Sequence, residues 1–385
     1  MQNKFKKNGL ILLKICITFI IILSIIYIFL IIKYFFSFFI TKYEIKKIEN
    51  FFAFCNNYQL IKKFQINNNP KISIISPIYN SGKFLFRFFR SIQYQYFNDI
   101  EIVLVDDCSI DNSIEIINEY KKEDQRIQLI KNRRKKGTFI ARNIGALYAK
   151  GKYIIIPDSD DIISENILDI CYNFMEKNNY DLIRFNTYLG NGTISFNKVV
   201  EQYKGEPIKQ PTLSTYSFYL KNELKKNDIY IHNKFIKKNV YIKALNNINN
   251  FLYIYMTIME DQIINEILLR TSKSFYFLRN IGYYHINNKL SMTKTSYKKY
   301  IIKLNHFCIY LKFIFEYSKN NKYEKDMTNF YLNNLYNYLK KKKLFKDFFQ
   351  NNCYFFNNLI DKIINCTYIT NDNKNFIKSL KLKKY

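Results

Sequence analysis

The sequence predicts an α/β fold in which helices flank a mostly parallel sheet. Short apolar runs rich in β-branched residues, such as Tyr153 to Ile156, show no polar alternation, which is typical of strands buried on both faces. Segments with apolar residues at helical spacing lie between these runs, and strands that alternate with helices favour parallel β-α-β units with right-handed crossovers. In addition, carboxylates follow two of the strands, as Asp106-Asp107 and as Asp158 to Asp161.

Strands and helices are predicted to alternate from Lys71 to Phe185. Pro77 is expected to end the first strand, and Asp111 can cap the second helix. The predicted strands are Lys71 to Ser76, Glu101 to Val105, Ile127 to Ile130, Tyr153 to Ile156 and Leu182 to Phe185. The predicted helices are Phe84 to Tyr94, Asp111 to Lys122, Thr138 to Ala149 and Glu165 to Lys177.

The charge distribution argues against a nucleic-acid partner, and the cysteine spacing argues against a zinc site or a redox motif. The chain of 385 residues has 60 Lys and Arg against 31 Asp and Glu, a formal net charge of +29. The excess cations are spread along the chain, which favours a general attraction of anions over a nucleic-acid partner. The seven cysteines include no C-x-x-C pair, so the sequence indicates neither a zinc site nor a redox motif.

The N-terminal region predicts a membrane anchor. No charged residue occurs from Ile15 to Ile32, and a helix of that length spans close to the hydrocarbon core of a bilayer. A cleaved signal peptide fits poorly, because the apolar stretch is too long and no small-residue cleavage site follows. We therefore expect a single-pass membrane protein that faces the ER or Golgi lumen in a eukaryote. In any other host it would lie on the cytoplasmic face of the plasma membrane.

Four regions follow from these patterns. Residues 1–41 form the tail and anchor, and 42–69 form a stalk. Residues 70–300 form the α/β domain, and 301–385 form a C-terminal extension. The extension is expected to be helical, because Phe307, Tyr310 and Leu311 follow helical spacing.

The acidic residues after the strands predict a ligand site. Carboxylates at the carboxyl ends of parallel strands share the sheet edge where open α/β folds bind ligands. The Asp-X-Asp sequence from Asp158 to Asp160 can bind a hard divalent cation and, through it, nucleotide phosphates; the alternative is an Asp-rich turn after a core strand. The sequence contains neither a G-x-G-x-x-G turn nor a G-K-[ST] loop. Phosphate would therefore be held by metal and by side chains.

Four motifs lie on these elements: Lys71-Ile-Ser-Ile-Ile-Ser-Pro-Ile-Tyr-Asn80, Glu101-Ile-Val-Leu-Val-Asp-Asp-Cys-Ser109 with Asp111-Asn-Ser113, Gly137 with Ala141-Arg-Asn-Ile-Gly145, and Asp158-Ser-Asp-Asp161. Together they resemble the motifs of family 2 glycosyltransferases of the GT-A fold. Four further motifs are similar to the acceptor-side motifs of the capsule- and wall-polysaccharide members of this family. They are His232-Asn-Lys-Phe235, Met259-Glu-Asp-Gln262, Gly282-Tyr-Tyr-His285 and Ser291-Met-Thr293. Cys108 stands where the family usually has glycine, and we expect it to be tolerated.

The resemblance implies a site for a nucleotide-sugar donor. Tyr79 would lie against the base, unless it is an ordinary buried tyrosine. Asp107 would accept a hydrogen bond from a uracil imide or the ribose, and Asp106 would support the turn. Arg142 would pair with Asp158 or a phosphate, or form a plain structural ion pair. The implied donor-binding set is Pro77, Tyr79, Asp106, Asp107, Arg142, Asp158 and Ser159.

The resemblance also implies a divalent metal ion. Asp160 would be its first ligand, and Asp158 would be a second ligand or lie nearer the ribose. His285 would complete the shell or contact the diphosphate; the alternative is a histidine on a strand with no such role. Mn²⁺ or Mg²⁺ suits oxygen ligands and a diphosphate, and would neutralise charge on the departing nucleoside diphosphate.

Asp261 is implied as the general base. Inverting transfer needs a carboxylate that takes the proton of the acceptor hydroxyl as its oxygen attacks C1 from the face opposite the leaving group. Glu260 beside it would contact the acceptor. The alternative is an acidic helix start, because Gln262 to Leu269 has a helical pattern and the helix dipole favours acids there.

Together these observations predict a membrane-anchored, metal-assisted, inverting glycosyltransferase. Its donor would be a nucleotide-sugar, in the first place a UDP-sugar, and its acceptor a glycan or glycolipid, with no nucleic-acid partner. The competing hypothesis is an inactive glycosyltransferase-like binding or scaffold protein, against which the intact Asp107, Asp158, Asp160 and Asp261 argue. A nucleotidyltransferase would need a Gly- and Lys-rich activating loop, which the sequence lacks.

Overall fold

The computed structural model describes residues 64–65, 67–191, 195–199, 230–248, 254–257 and 260–287, together with 306, 309, 310 and 313. The chain divides into two compact units, Met1–Tyr58 and Gln59–Tyr385, and all described residues belong to the second. Its strands are β1 Ile72–Ile78, β2 Ile100–Asp106, β3 Ile127–Lys131, β4 Tyr153–Ile155, β5 Ile162–Ile163, β6 Leu182–Asn191, β7 Ser195–Val199, β8 Lys234–Lys237 and β9 Phe275–Asn287. Its helices are α1 Gly82–Gln93, α2 Ser113–Glu123, α3 Thr138–Tyr148, α4 Ile167–Asn178, α5 Lys238–Asn246 and α6 Glu260–Thr271.

These elements confirm the α/β class, but the sheet is mixed rather than mostly parallel. The strand order is β3-β2-β1-β4-β8-β6-β9-β5, with β7 paired to β6. The first four strands of that order are parallel, as predicted from the alternating pattern. β8 then lies antiparallel to both β4 and β6, and β5 lies antiparallel to β9. The β-α-β argument concerns parallel pairs, so it does not extend to the antiparallel β8.

Pro77 does not end the first strand, contrary to the prediction. β1 continues through Pro77 to Ile78, in register with Val105 and Asp106 of β2. The pairing of β1 with β4 stops earlier, at Ile74. At Pro77 the strand therefore has a neighbour on one side only, where a missing amide proton is tolerated.

The core lies between the first strands and the helices that cover them. Its members are fully buried apolar side chains, among them Ile74 of β1, Phe88 and Phe89 of α1 and Ile167 of α4. Every side chain of β2 is buried, including those of its two acidic residues. This burial on both faces agrees with the unalternating apolar runs in the sequence.

The predicted single-pass membrane localisation is corrected by the structure. Within the described part of the chain, no helix combines the length and the apolar character needed to cross a bilayer. The stretch from Ile15 to Ile32 on which that prediction rested lies outside the described residues. So do most of the stalk and, apart from four residues, the C-terminal extension.

Candidate active site

The candidate site lies where β1, β2 and β4 end. These strands are parallel, so their carboxyl ends share one sheet edge, as the sequence predicted. Asp106 closes β2, and Asp158 to Asp161 follow β4. α6 adds Glu260 and Asp261, and β9 adds His285. The structure thus brings acidic residues from three elements to one end of the sheet.

Asp106 supports the turn after β2. Its carboxylate accepts hydrogen bonds from the backbone N–H groups of Cys108 and Ser109, each at 3.2 Å. Cys108 has φ of +66°, in the left-handed region that glycine occupies most easily. This conformation explains the glycine expected at that position, and the Cys108 thiol is held against the Asn132 carbonyl oxygen at 3.3 Å.

Asp107 organises the segment between β3 and α3. Its Oδ1 accepts from Asn132 Nδ2 at 2.9 Å and from the Lys136 N–H at 2.7 Å, and its Oδ2 accepts from the Gly137 N–H at 2.8 Å. A carboxylate has about four acceptor positions, so these bonds leave about one of them for a ligand. The contact of Asp107 with uracil or ribose stays a prediction.

Tyr79 is not an ordinary buried tyrosine, because 41% of the residue is exposed. The Nζ atom of Lys135 lies 3.4 Å from the centroid of its ring, a cation–π contact. Tyr79 follows β1, and Pro77 lies within that strand. The exposed ring is therefore available at the sheet edge, as base stacking would require.

Asp161 stabilises the turn from Asp158 to Asp161 through hydrogen bonds to residues of β9. It is completely buried, and its Oδ2 accepts from the Tyr283 hydroxyl at 2.8 Å and contacts His285 Nδ1 at 2.9 Å. The Tyr283 hydroxyl oxygen in turn accepts from the Asp158 N–H at 3.0 Å. Asp161 Oδ1 accepts from the Ile286 N–H at 2.7 Å. Asp161 thus orients its neighbours in this turn.

Ser159 is turned toward α1 rather than toward solvent. Its residue is 7% exposed, and its Oγ lies 2.7 Å from Oγ of Ser81, the residue before that helix. Its contact with the donor stays a prediction.

Arg142 joins three carboxylates that come from two segments of the chain. Its Nη2 lies 2.6 Å from Asp158 Oδ1, and its Nη1 lies 3.1 Å from Glu260 Oε1 and also contacts Asp261 Oδ1. Burial alone would lower the pKa of Arg142, but the charges of Asp261, Asp158 and Glu260 raise that pKa well above its ordinary value. The structure therefore gives the guanidinium carboxylate partners, Asp158 among them, and keeps it cationic. A functional role for these ion pairs stays a prediction.

Glu260 and Asp261 begin α6 and differ in environment. Burial raises the pKa of Glu260 to about 7, the negative charge of Asp261 adds to this rise, and Arg142 opposes it. The side chain of Asp261 is 17% exposed against 7% for Glu260, and its Oδ2 accepts a 3.5 Å contact from the Ile231 N–H. The pair does form an acidic helix start, and the Asp261 side chain remains partly exposed to solvent. Its role as a base stays a prediction.

The predicted metal ligands do not form a closed metal centre. No group of three or more His, Cys, Asp or Glu side chains in the described ranges has the geometry to hold a metal ion. The charge of Asp161 raises the pKa of His285 to about 9, so its imidazole is protonated at neutral pH and has an acid as its partner. Magnesium is commonly bound by one or two carboxylates plus substrate phosphates. Asp158 and Asp160 are both partly exposed, as that mode requires, and their role as metal ligands stays a prediction. A role for His285 in the shell stays a prediction.

His232 and Tyr283 are site residues whose roles the sequence did not reveal. The His232 ring stacks on Tyr283 at 4.2 Å between centroids and on Tyr230 at 4.9 Å. Burial lowers the pKa of His232 well below its usual range, and its Nδ1 lies 3.9 Å from Asp158 Oδ2. Both histidine-containing motifs pointed to this region, but no local pattern predicts stacking between residues so far apart in sequence.

Comparisons with known proteins agree with this geometry. A family model described as glycosyl transferase family 2 matches residues 73–244. An uncharacterized glycosyltransferase of Methanocaldococcus jannaschii is 30% identical over 65% of this chain and 87% of its own length. The glycosyltransferase GlyG of Streptococcus pneumoniae is 41% identical over 30% of this chain, a match that spans only 39% of GlyG.

A solved structure has the same fold. The crystal structure of S. aureus TarS 1–349 in complex with UDP-GlcNAc superposes with a TM-score of 0.59. It covers 81% of this chain and 88% of that chain, at 18% sequence identity. With the acidic motifs at the sheet edge and the matched family model, these findings lead to one conclusion: the chain belongs to glycosyl transferase family 2.

Proposed function

We propose that this chain is an inverting glycosyltransferase that moves a sugar from a nucleotide-sugar, in the first place a UDP-sugar, to a glycan or glycolipid. The observation that carries the proposal is the bridge that Arg142 makes between Asp158, at the donor-side sheet edge, and Asp261, at the start of α6. Family membership supports the reaction class, and the bound UDP-GlcNAc named for TarS supports the class of donor.

In the proposed reaction Asp261 takes the proton of the acceptor hydroxyl. The acceptor oxygen forms a bond to C1 of the sugar while the bond from C1 to the diphosphate oxygen breaks, and the nucleoside diphosphate leaves with the electron pair. Arg142 contacts Asp261 and Asp158 with the same guanidinium, and so fixes the position of Asp261 relative to Asp158. Glu260, with its pKa raised to about 7, is partly protonated near pH 7 and can contact the acceptor in either form.

We further propose that Asp160 and Asp158 hold Mn²⁺ or Mg²⁺ together with the donor phosphates. When bound, the ion would supply positive charge to the departing diphosphate. Tyr79 would stack on the base, and Asp107 would use its remaining acceptor position for the uracil or ribose. Asp106 and Ser159 would support these contacts through the turns that they hold.

The test uses the full chain with a panel of nucleotide-sugars, with and without Mn²⁺ or Mg²⁺, and follows release of the nucleoside diphosphate. We expect one donor to be cleaved only with metal, and Asp160→Asn to lose that activity. The matched control is Asp169→Asn, which changes a partly exposed carboxylate on α4 away from the sheet edge. Nucleotide binding without cleavage of any donor would instead favour the inactive binding protein.

A further inference from the structure

Tyr230 is an exposed aromatic residue beside the proposed base. It lies in the segment before β8, and 43% of the residue is exposed. The N–H of the next residue, Ile231, faces Asp261 Oδ2 at 3.5 Å, so the chain passes directly along that carboxylate. Partial burial raises the pKa of Tyr230, and the negative charge of Asp261 adds to this rise. The reaction described above uses neither the ring of Tyr230 nor its hydroxyl group.

The backbone of Tyr230 is fixed from inside the protein. Its carbonyl oxygen accepts a hydrogen bond from Nζ of Lys234, a residue with no exposed surface. Lys234 Nζ also donates to Asn233 Oδ1 at 3.0 Å. A buried ammonium group is costly unless its donors are used, so these bonds are expected to be kept. The peptide between Tyr230 and Ile231 is thus held at its oxygen by Lys234, while its N–H faces Asp261.

The ring of Tyr230 stands at the end of a column of stacked rings. It stacks on His232, with 4.9 Å between centroids and 19° between the ring planes. His232 in turn stacks on Tyr283 at 4.2 Å and 11°, and the Tyr283 hydroxyl is bonded to Asp161 and to the Asp158 N–H. Among the described residues, no ring other than His232 contacts Tyr230. The column therefore supports one face of the tyrosine, and its exposed surface lies away from that face.

An aromatic ring held in one orientation beside a carboxylate matches the chemistry of a pyranose. A pyranose carries C–H groups on its faces and hydroxyl groups around its rim. The C–H face gains apolar burial and dispersion contacts on an aromatic ring, while a rim hydroxyl can donate to the carboxylate. Because Tyr230 is already fixed, little side-chain entropy is lost when the sugar stacks on it. An open-chain polyol has the same hydroxyl groups but no preformed C–H face, so it gains less from this ring.

We propose that the acceptor stacks a pyranose ring on Tyr230, with its reacting hydroxyl group toward Asp261. This assignment rests on the proposed function, because it identifies the class of acceptor for the same transfer. It selects a ring-form sugar unit for this surface, rather than an open-chain polyol or the base of the donor, for which Tyr79 remains the proposed contact.

The first arm of the test measures which acceptor the parent protein prefers. Nucleoside diphosphate release by the full chain is followed with whichever nucleotide-sugar it cleaves. The acceptor probes are methyl β-D-glucopyranoside, methyl β-D-galactopyranoside and the open-chain polyol ribitol. We expect a pyranoside to raise the rate of release more than ribitol does at equal concentration. This arm uses the parent alone, so it does not depend on whether a variant folds.

The second arm compares variants of Tyr230 with a matched control. Tyr230→Leu should raise the KM for the preferred pyranoside about tenfold and change the KM for the donor less than about twofold, because only the acceptor loses its aromatic contact. Tyr230→Phe keeps the ring, so its KM for the pyranoside should stay within about twofold of the parental value. The control, Tyr148→Leu, removes an exposed ring from the carboxyl end of α3 and should leave both KM values unchanged.

Several results would overturn the inference. A parent that uses ribitol at least as well as either pyranoside would show that no preformed ring face is needed. A tenfold rise in the KM for the donor in Tyr230→Leu would place the base of the donor on this ring. An equal effect of Tyr230→Phe and Tyr230→Leu would assign the contact to the hydroxyl group. If the parent cleaves a donor but Tyr230→Leu leaves the KM for the pyranoside unchanged, this inference fails alone. If the parent cleaves no donor, the proposed function fails and this assignment falls with it.

Discussion

Arg142 and Asp158 form an ion pair in which Nη2 of the guanidinium lies 2.6 Å from Oδ1 of the carboxylate. The same guanidinium contacts Glu260 and Asp261, so one side chain of α3 links the end of β4 to the start of α6. Only 3% of the Arg142 side chain is exposed, which leaves solvent little part in balancing the charges. The position of Asp158, on the proposed sugar-donor side, relative to Asp261, on the proposed acceptor side, therefore depends on Arg142.

Replacing Arg142 should destabilise the protein in a pH-dependent manner. Arg142→Gln leaves buried carboxylates without their cation, a change that costs about 3–5 kcal/mol in comparable buried pairs. Burial raises the pKa of Glu260 to about 7, so Glu260 is largely protonated at pH 5 and largely charged at pH 8. Burial also raises the pKa of Asp158, which acts in the same direction. Urea unfolding should therefore show a larger loss at pH 8 than at pH 5. An equal loss at both values would mean that the carboxylates are not the cause.

The Tyr283 hydroxyl should matter for both stability and activity. It accepts from the Asp158 N–H and donates to Asp161, so Tyr283→Phe leaves a buried acceptor and a buried donor short of one bond each. We expect a loss of about 1–3 kcal/mol in the free energy of unfolding, and slower donor cleavage. The control is Tyr276→Phe on the same strand, whose hydroxyl has no such bond among the described residues. Similar losses for both variants would contradict this account.

The pair of His285 with Asp161 should make stability fall at alkaline pH. The folded-state pKa of about 9 lies above the ordinary value of 6.5, so the stabilisation is fully present below pH 6.5 and is lost as pH rises through 9. Since 40% of the imidazole is exposed, solvent screening limits the effect to about 1 kcal/mol. Unfolding of the metal-free protein should show this loss between pH 6.5 and 9.5. The His285→Gln variant should not show this loss of stability. If the variant has the same pH profile as the parent, another group causes the loss.

The left-handed backbone at Cys108 predicts effects of different size for two substitutions. Cys108→Gly relieves the conformation at the cost of one weak thiol contact, so we expect a change within about 1 kcal/mol. Cys108→Val places a β-branched side chain at positive φ and should cost about 1–2 kcal/mol. Thermal unfolding of the two variants checks this, and a valine variant as stable as the glycine variant would contradict it.

The parallel half of the sheet and the acidic residues at its edge could be predicted from local patterns. This is because the apolar runs of buried strands and the alternation of strands with helices involve residues that are close together in sequence. The sequence also suggested Asp158 as a partner of Arg142, 16 residues away. It could not give Glu260 and Asp261 as further partners, because they lie 118 and 119 residues along the chain from Arg142. The antiparallel position of β8 was missed for the same reason. The paired state of His285 depends on Asp161, 124 residues earlier, which no spacing rule supplies.

The central claim is that Asp261 acts as a base on a donor bound at this sheet edge. The most direct test compares nucleoside diphosphate release by the full chain with that of Asp261→Asn, on whichever nucleotide-sugar the parent cleaves. Because the variant lacks the general base, we expect its rate of nucleoside diphosphate release to be about 100-fold lower or more, with nucleotide affinity unchanged. Asp169→Asn should behave as the parent. Cleavage by Asp261→Asn at the parental rate, with the nucleotide still bound, would contradict the mechanism.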